Sequence, residues 1–373
     1  MIAVTDRVGE GSTNGAQVFA NAILLQIAQW FDLTIVAAHE NGLRDCLVHR
    51  VLRIPDDADH PRAQGDVVSA KLLDSASVLY NLGGTALSSA VSAELLRRRP
   101  DVPLVNHFQI LLDECARYEG WDAGGAAQLG SVQRELAASA ERNIFPSFAE
   151  LNTAIARWEL SGRRNYVVPN AFVGDDVGEC PPAQEKPFTF LAAGRFGDYA
   201  KGADLLYRAF TDLQRKYPDV RLEIASDDER FLEMLRPLPQ ESWALLGWLS
   251  RIDLLRRMRA ADVVVIPSRY EPFGLVAIES MGMGTPVIAM AVGGLAEIVC
   301  HETTGWLCPE EEGSLGLRLA MEVALRDRPR LIDMGQEGQR VVEREYSLYR
   351  VGHAVRQHLQ NARRCPQKSN KSA

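Results

Sequence analysis

Residues 263–299 read VVVIPSRYEPFGLVAIESMGMGTPVIAMAVGGLAEIV. The β-branched run Val263–Ile266 has the composition of a strand buried on both faces of a parallel sheet. Pro267 and Ser268 end it, and Glu271, Pro272, Phe273 and Gly274 follow in a loop. Leu275 to Met283 has helical composition. Gly284 stops that helix, and Pro286–Ala289 forms the next strand. Gly293-Gly294 then makes a tight turn into a helix carrying Glu297.

A strand that feeds a glycine-containing loop and then a helix start leaves free backbone N–H groups at its carboxyl end, where anions collect. Gly274 allows a ligand close to the backbone. Glu271 precedes the helix, and Glu279 lies about 7 Å further along it at the helical rise. Set back by that distance, a carboxylate can accept hydrogen bonds from sugar hydroxyls beside a phosphate. Two isolated glutamates would read as solvated side chains. The full strand–loop–helix–strand context favours a ligand site.

Upstream, Phe188–Ala193 is a strand that delivers Gly194-Arg195, a loop, and Lys201-Gly202 before the helix 203–216. An isolated surface cation is usually just solvated. These two flank a loop at a strand's carboxyl end, where open α/β sheets bind ligands. The planar fork of Arg195 and the point charge of Lys201 can together clamp a diphosphate.

These elements resemble glycosyltransferase family 4. Glu271, Phe273-Gly274-Leu275, Glu279, Gly284-Thr285-Pro286-Val287 and Gly293-Gly294 match its signature of two glutamates with seven residues between them. Gly194-Arg195 and Lys201-Gly202 resemble its diphosphate element, and Thr304-Gly305-Trp306-Leu307 its Thr-Gly-aromatic-Leu element. The resemblance implies a GT-B α/β fold: two doubly wound Rossmann-like domains facing a cleft, with a last helix crossing back to the first domain. It places Glu279 on the donor's ribose, Glu271 near the transferred sugar, and the backbone around Leu249 at the nucleobase. It also implies retention of anomeric configuration. His107 matches a family histidine that contacts the sugar, although by position alone it reads equally as a strand-end histidine satisfied by its neighbours. Gly15 stands where the family has a Gly-Gly pair, and Ser226-Asp227-Asp228 replaces a Gly-x-Gly turn. Two acids there would repel phosphate unless they point away.

The catalytic set is therefore expected to be His107, Arg195, Lys201 and Glu271. The donor-binding set is Gly15, Arg195, Lys201, Leu249, Phe273, Gly274, Leu275 and Glu279. No metal and no cofactor is expected beyond a nucleoside-diphosphate sugar as co-substrate.

The domains expected are 1–170, a Pro- and acid-rich linker 171–187, 188–347, a crossover helix 348–364 and a disordered tail 365–373. Strands are expected over 1–5, 33–38, 46–54, 78–81, 102–106, 142–145, 165–168, 188–193, 221–225, 243–246, 263–266 and 286–289. Helices are expected over 16–30, 86–98, 126–140, 148–159, 203–216, 251–260, 275–283 and 348–364, with 311–346 largely helical. The stretch 108–125, rich in aromatic and acidic residues, suits sugar recognition, and suits slightly better a loop packed by its own aromatics.

The 373 residues are 46% hydrophobic and 24% charged, ordinary for a globular protein. A net charge of −8 speaks against nucleic-acid binding. No apolar run has the length of a membrane span, and Met1–Val4 enters a strand with no leader pattern, so a cytoplasmic protein is expected. The six cysteines form no CxxC pair and no zinc spacing. The partner classes are a nucleotide-sugar donor and an unidentified acceptor, with a soluble small molecule favoured. Against a glycosyltransferase stand a nucleotide-sugar-binding protein that lost turnover and a GT-B epimerase or phosphorylase. A nicotinamide dehydrogenase fits least, because Gly9-x-Gly11-x-x-x-Gly15 is not the dinucleotide fingerprint.

Overall fold

The computed structural model describes residues 1–9, 15–41, 50–53, 68–83, 86–120, 122–160, 162–174, 177 and 187–364. The loop 10–14, the polar stretch 56–64, Trp121, most of the expected linker, the tail 365–373 and Cys46, Cys180 and Cys365 lie outside these residues. The chain forms two compact units. One is Met1–Ala171 together with the stretch from Leu348, and the other is Phe172–Ser347.

In the first unit the elements run β1 (Ile2–Gly9), α1 (Gly15–Ala28), β2 (Thr34–Asn41), β3 (Arg50–Arg53), α2 (Ala70–Asp74), β4 (Leu79–Gly83), α3 (Ala86–Arg98), β5 (Leu104–Phe108), α4 (Leu112–Tyr118), α5 (Ala123–Ser139), β6 (Arg142–Phe145), α6 (Phe148–Trp158) and β7 (Asn165–Val167). The described strands are parallel in the order β3-β2-β1-β4-β5-β6-β7. Strands covered on both faces by helices need apolar residues throughout. Ile2, Ala3, Val4, Leu79, Tyr80, Leu104 and Val105 are buried accordingly.

One row breaks that apolar pattern. Asn81, Asn106, Asn143 and Asn165 stand opposite one another on β4 to β7. Each Nδ2 donates to the next Oδ1, at 3.2, 3.1 and 3.0 Å. The Asn143 amide also donates to the Ala137 carbonyl at 2.9 Å.

The second unit runs β8 (Phe188–Ala193), a 3₁₀ turn (Tyr199–Lys201), α7 (Ala203–Lys216), β9 (Val220–Ala225), α8 (Glu229–Leu235), β10 (Trp243–Leu245), α9 (Arg251–Ala260), β11 (Val263–Ile266), α10 (Leu275–Gly282), β12 (Val287–Met290), α11 (Leu295–Ile298), β13 (Gly305–Cys308), α12 (Gly313–Arg326) and α13 (Arg328–Glu345). Its sheet is also parallel, in the order β10-β9-β8-β11-β12-β13. The order reverses between β8 and β11, so their carboxyl ends frame the crevice where doubly wound sheets bind ligands.

The last helix, α14 (Leu348–Arg364), belongs to the first unit. It buries Val351, Val355 and Leu359 among Phe19, Ile23 and Ile27. Gly352 permits this approach, since a Cβ there would come within 2.7 Å of the Gln26 side chain.

Three expectations are corrected. The strand expected over 102–106 is β5, two residues later, which puts His107 inside the strand. The stretch 108–125 is no aromatic-packed loop, because Leu112–Tyr118 is helical. Asp113 there accepts from Arg157 Nε at 3.0 Å and Trp158 Nε1 at 3.2 Å, and Glu114 pairs with Arg157 at 3.1 Å. The acids therefore fasten the helix and are not held out toward an acceptor. Third, the Ser226-Asp227-Asp228 turn opens α8, which the sequence did not signal. Asp228 caps that helix, accepting from Phe231 N at 2.8 Å. Its carboxylate is committed to the helix start, as an N-cap acid should be.

Candidate functional site

The site is built on the two strands that flank the switch point. After β8 the chain turns through Gly194, Arg195 and the 3₁₀ turn to Lys201. After β11 it turns through Pro267 and Ser268 to Glu271. Lys201 Nζ donates to Glu271 Oε2 at 2.8 Å, bringing together two residues 70 positions apart. Both side chains are partly exposed, so the pair meets solvent and any ligand.

Gly202 makes this approach possible. Its φ is +68°, and a Cβ there would lie 2.0 Å from the Pro267 carbonyl oxygen. The same holds across the next turn, where Gly293 has φ +49° and a Cβ would lie 2.0 Å from the Glu271 carbonyl oxygen. Gly294 N donates to that oxygen at 2.9 Å. Glu271 is thus fixed from both sides, by a cation and by the Gly-Gly turn.

A second clamp holds the Lys201 turn. Arg269 donates to both Asp204 oxygens, at 2.7 and 2.8 Å, and its guanidinium sits 4.2 Å from the centre of the Tyr199 ring. Arg269 N also donates to the Ala200 carbonyl at 2.7 Å. The hydrogen bonds from Arg269 hold the Asp204 carboxyl below its ordinary range. Sequence reading missed both residues. The signal available was their place, two residues before Glu271 and three after Lys201.

Helix α10 begins at Leu275 with Gly274 as its cap, at φ +116°. Its first N–H groups make no intrahelical bond and carry the positive end of the helix dipole. A Cβ on Gly274 would press to 2.9 Å on Leu295 and 3.3 Å on Ile298, so this glycine also serves packing. Phe273 is buried, with its ring 5.9 Å from that of Tyr346.

Glu279 is buried on α10, and its Oε1 accepts from Arg251 Nη1 at 2.5 Å. Arg251 also donates to the Val173 carbonyl. Ser250 starts the Arg251 helix, accepting from Asp253 N at 3.2 Å. Arg251 was read only as the start of a helix and is a cation on Glu279. Leu249 lies half-buried in the loop just before it. Arg195 is the most open of the expected residues, 62% exposed and paired with Asp198 at 3.0 Å.

In the other unit, His107 is 0% exposed. Its Nδ1 is 2.8 Å from the Tyr80 hydroxyl, the Phe19 ring stands edge-on at 5.7 Å, and Nε2 has no hydrogen-bond partner. Burial drives its pKa down to about 3, helped by the charge of His358, so the ring is neutral. Gly15 is the first residue of α1. Lys201 and Glu271 are thus in contact, and they share the second unit with Arg195, Leu249, Phe273, Gly274, Leu275 and Glu279, while His107 and Gly15 lie in the first.

No group of three or more His, Cys, Asp or Glu side chains suited to a metal ion occurs among the described residues. Among the same residues, no helix is long and apolar enough to cross a membrane.

Residues 180–341 match the family model "Glycosyl transferases group 1". The chain is 32% identical over 241 residues to a glycogen synthase of Mycobacterium tuberculosis, covering 61% of this chain and 55% of that one. It thus spans about half the length of that relative. The structure resembles sucrose-phosphate synthase from Thermosynechococcus elongatus with a TM-score of 0.76, at 20% identity over 96% of this chain and 98% of that one. It also resembles HepE of Anabaena in complex with UDP and glucose, again at 0.76 and 20% identity, over 96% and 99% of the two chains. The chain carries a glycosyl transferases group 1 domain over residues 180–341, and its fold class is GT-B.

Proposed function

We propose that the protein transfers a sugar from a nucleoside-diphosphate sugar to an acceptor. The observation that carries this reading is the Lys201–Glu271 pair at the β8/β11 switch point, beside the free N–H groups of α10. Breaking a glycosyl–phosphate bond puts negative charge on the leaving diphosphate and positive character on the sugar carbon. Lys201 spends one of its three N–H donors on Glu271 and has two more to offer phosphate oxygens. The start of α10 supplies backbone donors and a positive dipole end, and Arg195 adds a cation to the turn that carries Lys201. Donors fixed before the charge develops are worth more than donors that must reorganise. Glu271, held by Lys201, serves to face the positive sugar carbon in this reading. Glu279, whose Oε1 accepts from Arg251, serves the ribose hydroxyls.

In this reading the transfer retains configuration, needs no metal, and passes the acceptor proton to the departing phosphate. The acceptor is a soluble small molecule met in the cytoplasm.

Thermal unfolding with a panel of nucleoside diphosphates tests the donor site. Uridine diphosphate comes first, because one structural relative carries UDP. Ligand at about a hundred times its Kd adds roughly 2.7 kcal/mol. One diphosphate should raise Tm in the wild type and not in Lys201→Ala. No rise with any diphosphate at millimolar concentration would overturn the reading. Binding without transfer of a labelled sugar to any acceptor, or to water, would leave a binding protein.

A further inference from the structure

Helix α12 carries an apolar stripe on its outer face. Leu315, Leu319 and Val323 recur every four residues and are 54%, 45% and 44% exposed. The opposite face, with Leu317, Ala320, Met321 and Ala324, is in the core. A helix of a globular domain normally buries one such face, not two.

The charges at the two ends of the stripe are opposite. At the N-terminal end Glu310, Glu311 and Glu312 are all exposed. At the C-terminal end Glu322 is surrounded by Lys216 at 2.7 Å, Arg318 at 3.0 Å and Arg326 at 2.5 Å. Three cations against Glu322 and the exposed Asp327 leave one positive charge there. Arg326 is the outermost, with 62% of its side chain exposed.

This pattern is self-complementary when reversed. Leu319 is the midpoint between positions 315 and 323, and also between 312 and 326. We infer that α12 is the contact face of a homodimer, in which two copies of the helix pack antiparallel about a two-fold axis at Leu319. Leu319 then meets Leu319 of the second copy, Leu315 meets Val323, and Glu312 meets Arg326 twice over. A two-fold contact requires this property, one surface patch that complements itself. An anionic membrane fits less well, because the three glutamates would face it. A single helix pair of this length is a small interface, so association is weak and reversible.

Sedimentation velocity from micromolar to near-millimolar protein tests the inference. The wild type should show a concentration-dependent monomer–dimer equilibrium. Leu319→Glu should be monomeric throughout, with unchanged Tm because the side chain is on the surface. Glu312→Arg and Arg326→Glu should each weaken the dimer by about 10-fold or more, and the double variant should recover most of that loss. Arg326 also bonds Tyr217 and Glu322, so crosslinking gives an independent readout. Under oxidation Leu319→Cys should link to itself. Leu315→Cys should link only when mixed with Val323→Cys. A wild type that stays monomeric, a Leu319→Glu variant that still dimerises, or Leu315→Cys linking to itself would overturn the proposal.

Discussion

His107 and Glu279 are ionisable side chains buried almost equally, at 0% and 5% exposure, and the two units treat them in opposite ways. His107 sits among Phe19 and Tyr80, keeps one neutral hydrogen bond, and stays uncharged. Glu279 receives a guanidinium at 2.5 Å. The same contrast extends to the neighbours. In the first unit a row of strand residues that breaks the apolar pattern consists of neutral amides bonded to one another. In the second, the strand ends and helix starts carry Lys201, Glu271, Arg269, Asp204 and Arg251, nearly all in pairs. A neutral polar core holds shape across a wide pH range. A paired ionic layer also holds fixed charges ready for a charged ligand, at the cost of dehydrating them.

The largest expected effect tests the neutral side. The folded protein binds a proton at His107 only near pH 3, whereas the unfolded chain binds it near the ordinary 6.5. Between those values the unfolded state holds more protons, so stability falls as pH falls. The loss is up to about 5 kcal/mol at the acid end of the window. His358, lowered to about 4 by burial, acts in the same direction over a narrower range. Urea unfolding at a series of pH values should show a shallower dependence in His107→Gln. Equal slopes would mean that His107 is not a neutral buried group.

Next in size is the cation placed at the ligand crevice. Lys201→Ala should slow sugar transfer by roughly 10²- to 10³-fold, the range seen for removal of one preorganised donor to developing charge. Fold stability should move little, because the pair is partly exposed. A loss in stability larger than the loss in rate would make Lys201 structural.

Arg251→Ala removes a cation from the buried Glu279 carboxylate and should cost roughly 3 kcal/mol of stability. Arg251→Lys should recover part of it. A neutral Arg251→Ala would show that Glu279 is solvated after all. The smallest effect is at Arg269, which touches the site only through the Lys201 turn. Arg269→Ala should weaken nucleoside-diphosphate binding about 10-fold, or ~1.4 kcal/mol. A calorimetric titration of Lys201→Ala with and without Arg269→Ala would show whether the two effects share one route: non-additive losses are expected.

Much of the C-terminal unit was legible in the sequence. Phe188–Ala193, Ala203–Lys216, Arg251–Ala260 and Val263–Ile266 have the expected bounds, because apolar periodicity and clear stop signals agree there. Helix α8 was not legible. It has only seven residues, and the Asp227-Asp228 pair that announces it looks like a loop. Helix α4 was hidden for a similar reason, since its aromatic and acidic residues have no clean period. At the site, the loop and helix residues could be read from spacing, but their partners could not. Arg251 and Arg269 look like ordinary solvated cations until strand order carries Glu279 and Asp204 to them.

The asparagine row across β4 to β7 bears on how the first sheet assembles. Its amides all point the same way, so the row has an accepting end, the Asn81 Oδ1 that has no partner. Parallel strands form from segments far apart in the chain, and a slip of one residue reverses every side chain. In an apolar sheet such a slip leaves Val facing Ile and goes nearly unnoticed. Here it would bury several amides without partners, at about 1–3 kcal/mol each. The row therefore acts as a proofreading mark: a wrongly threaded sheet is unstable enough to come apart and try again.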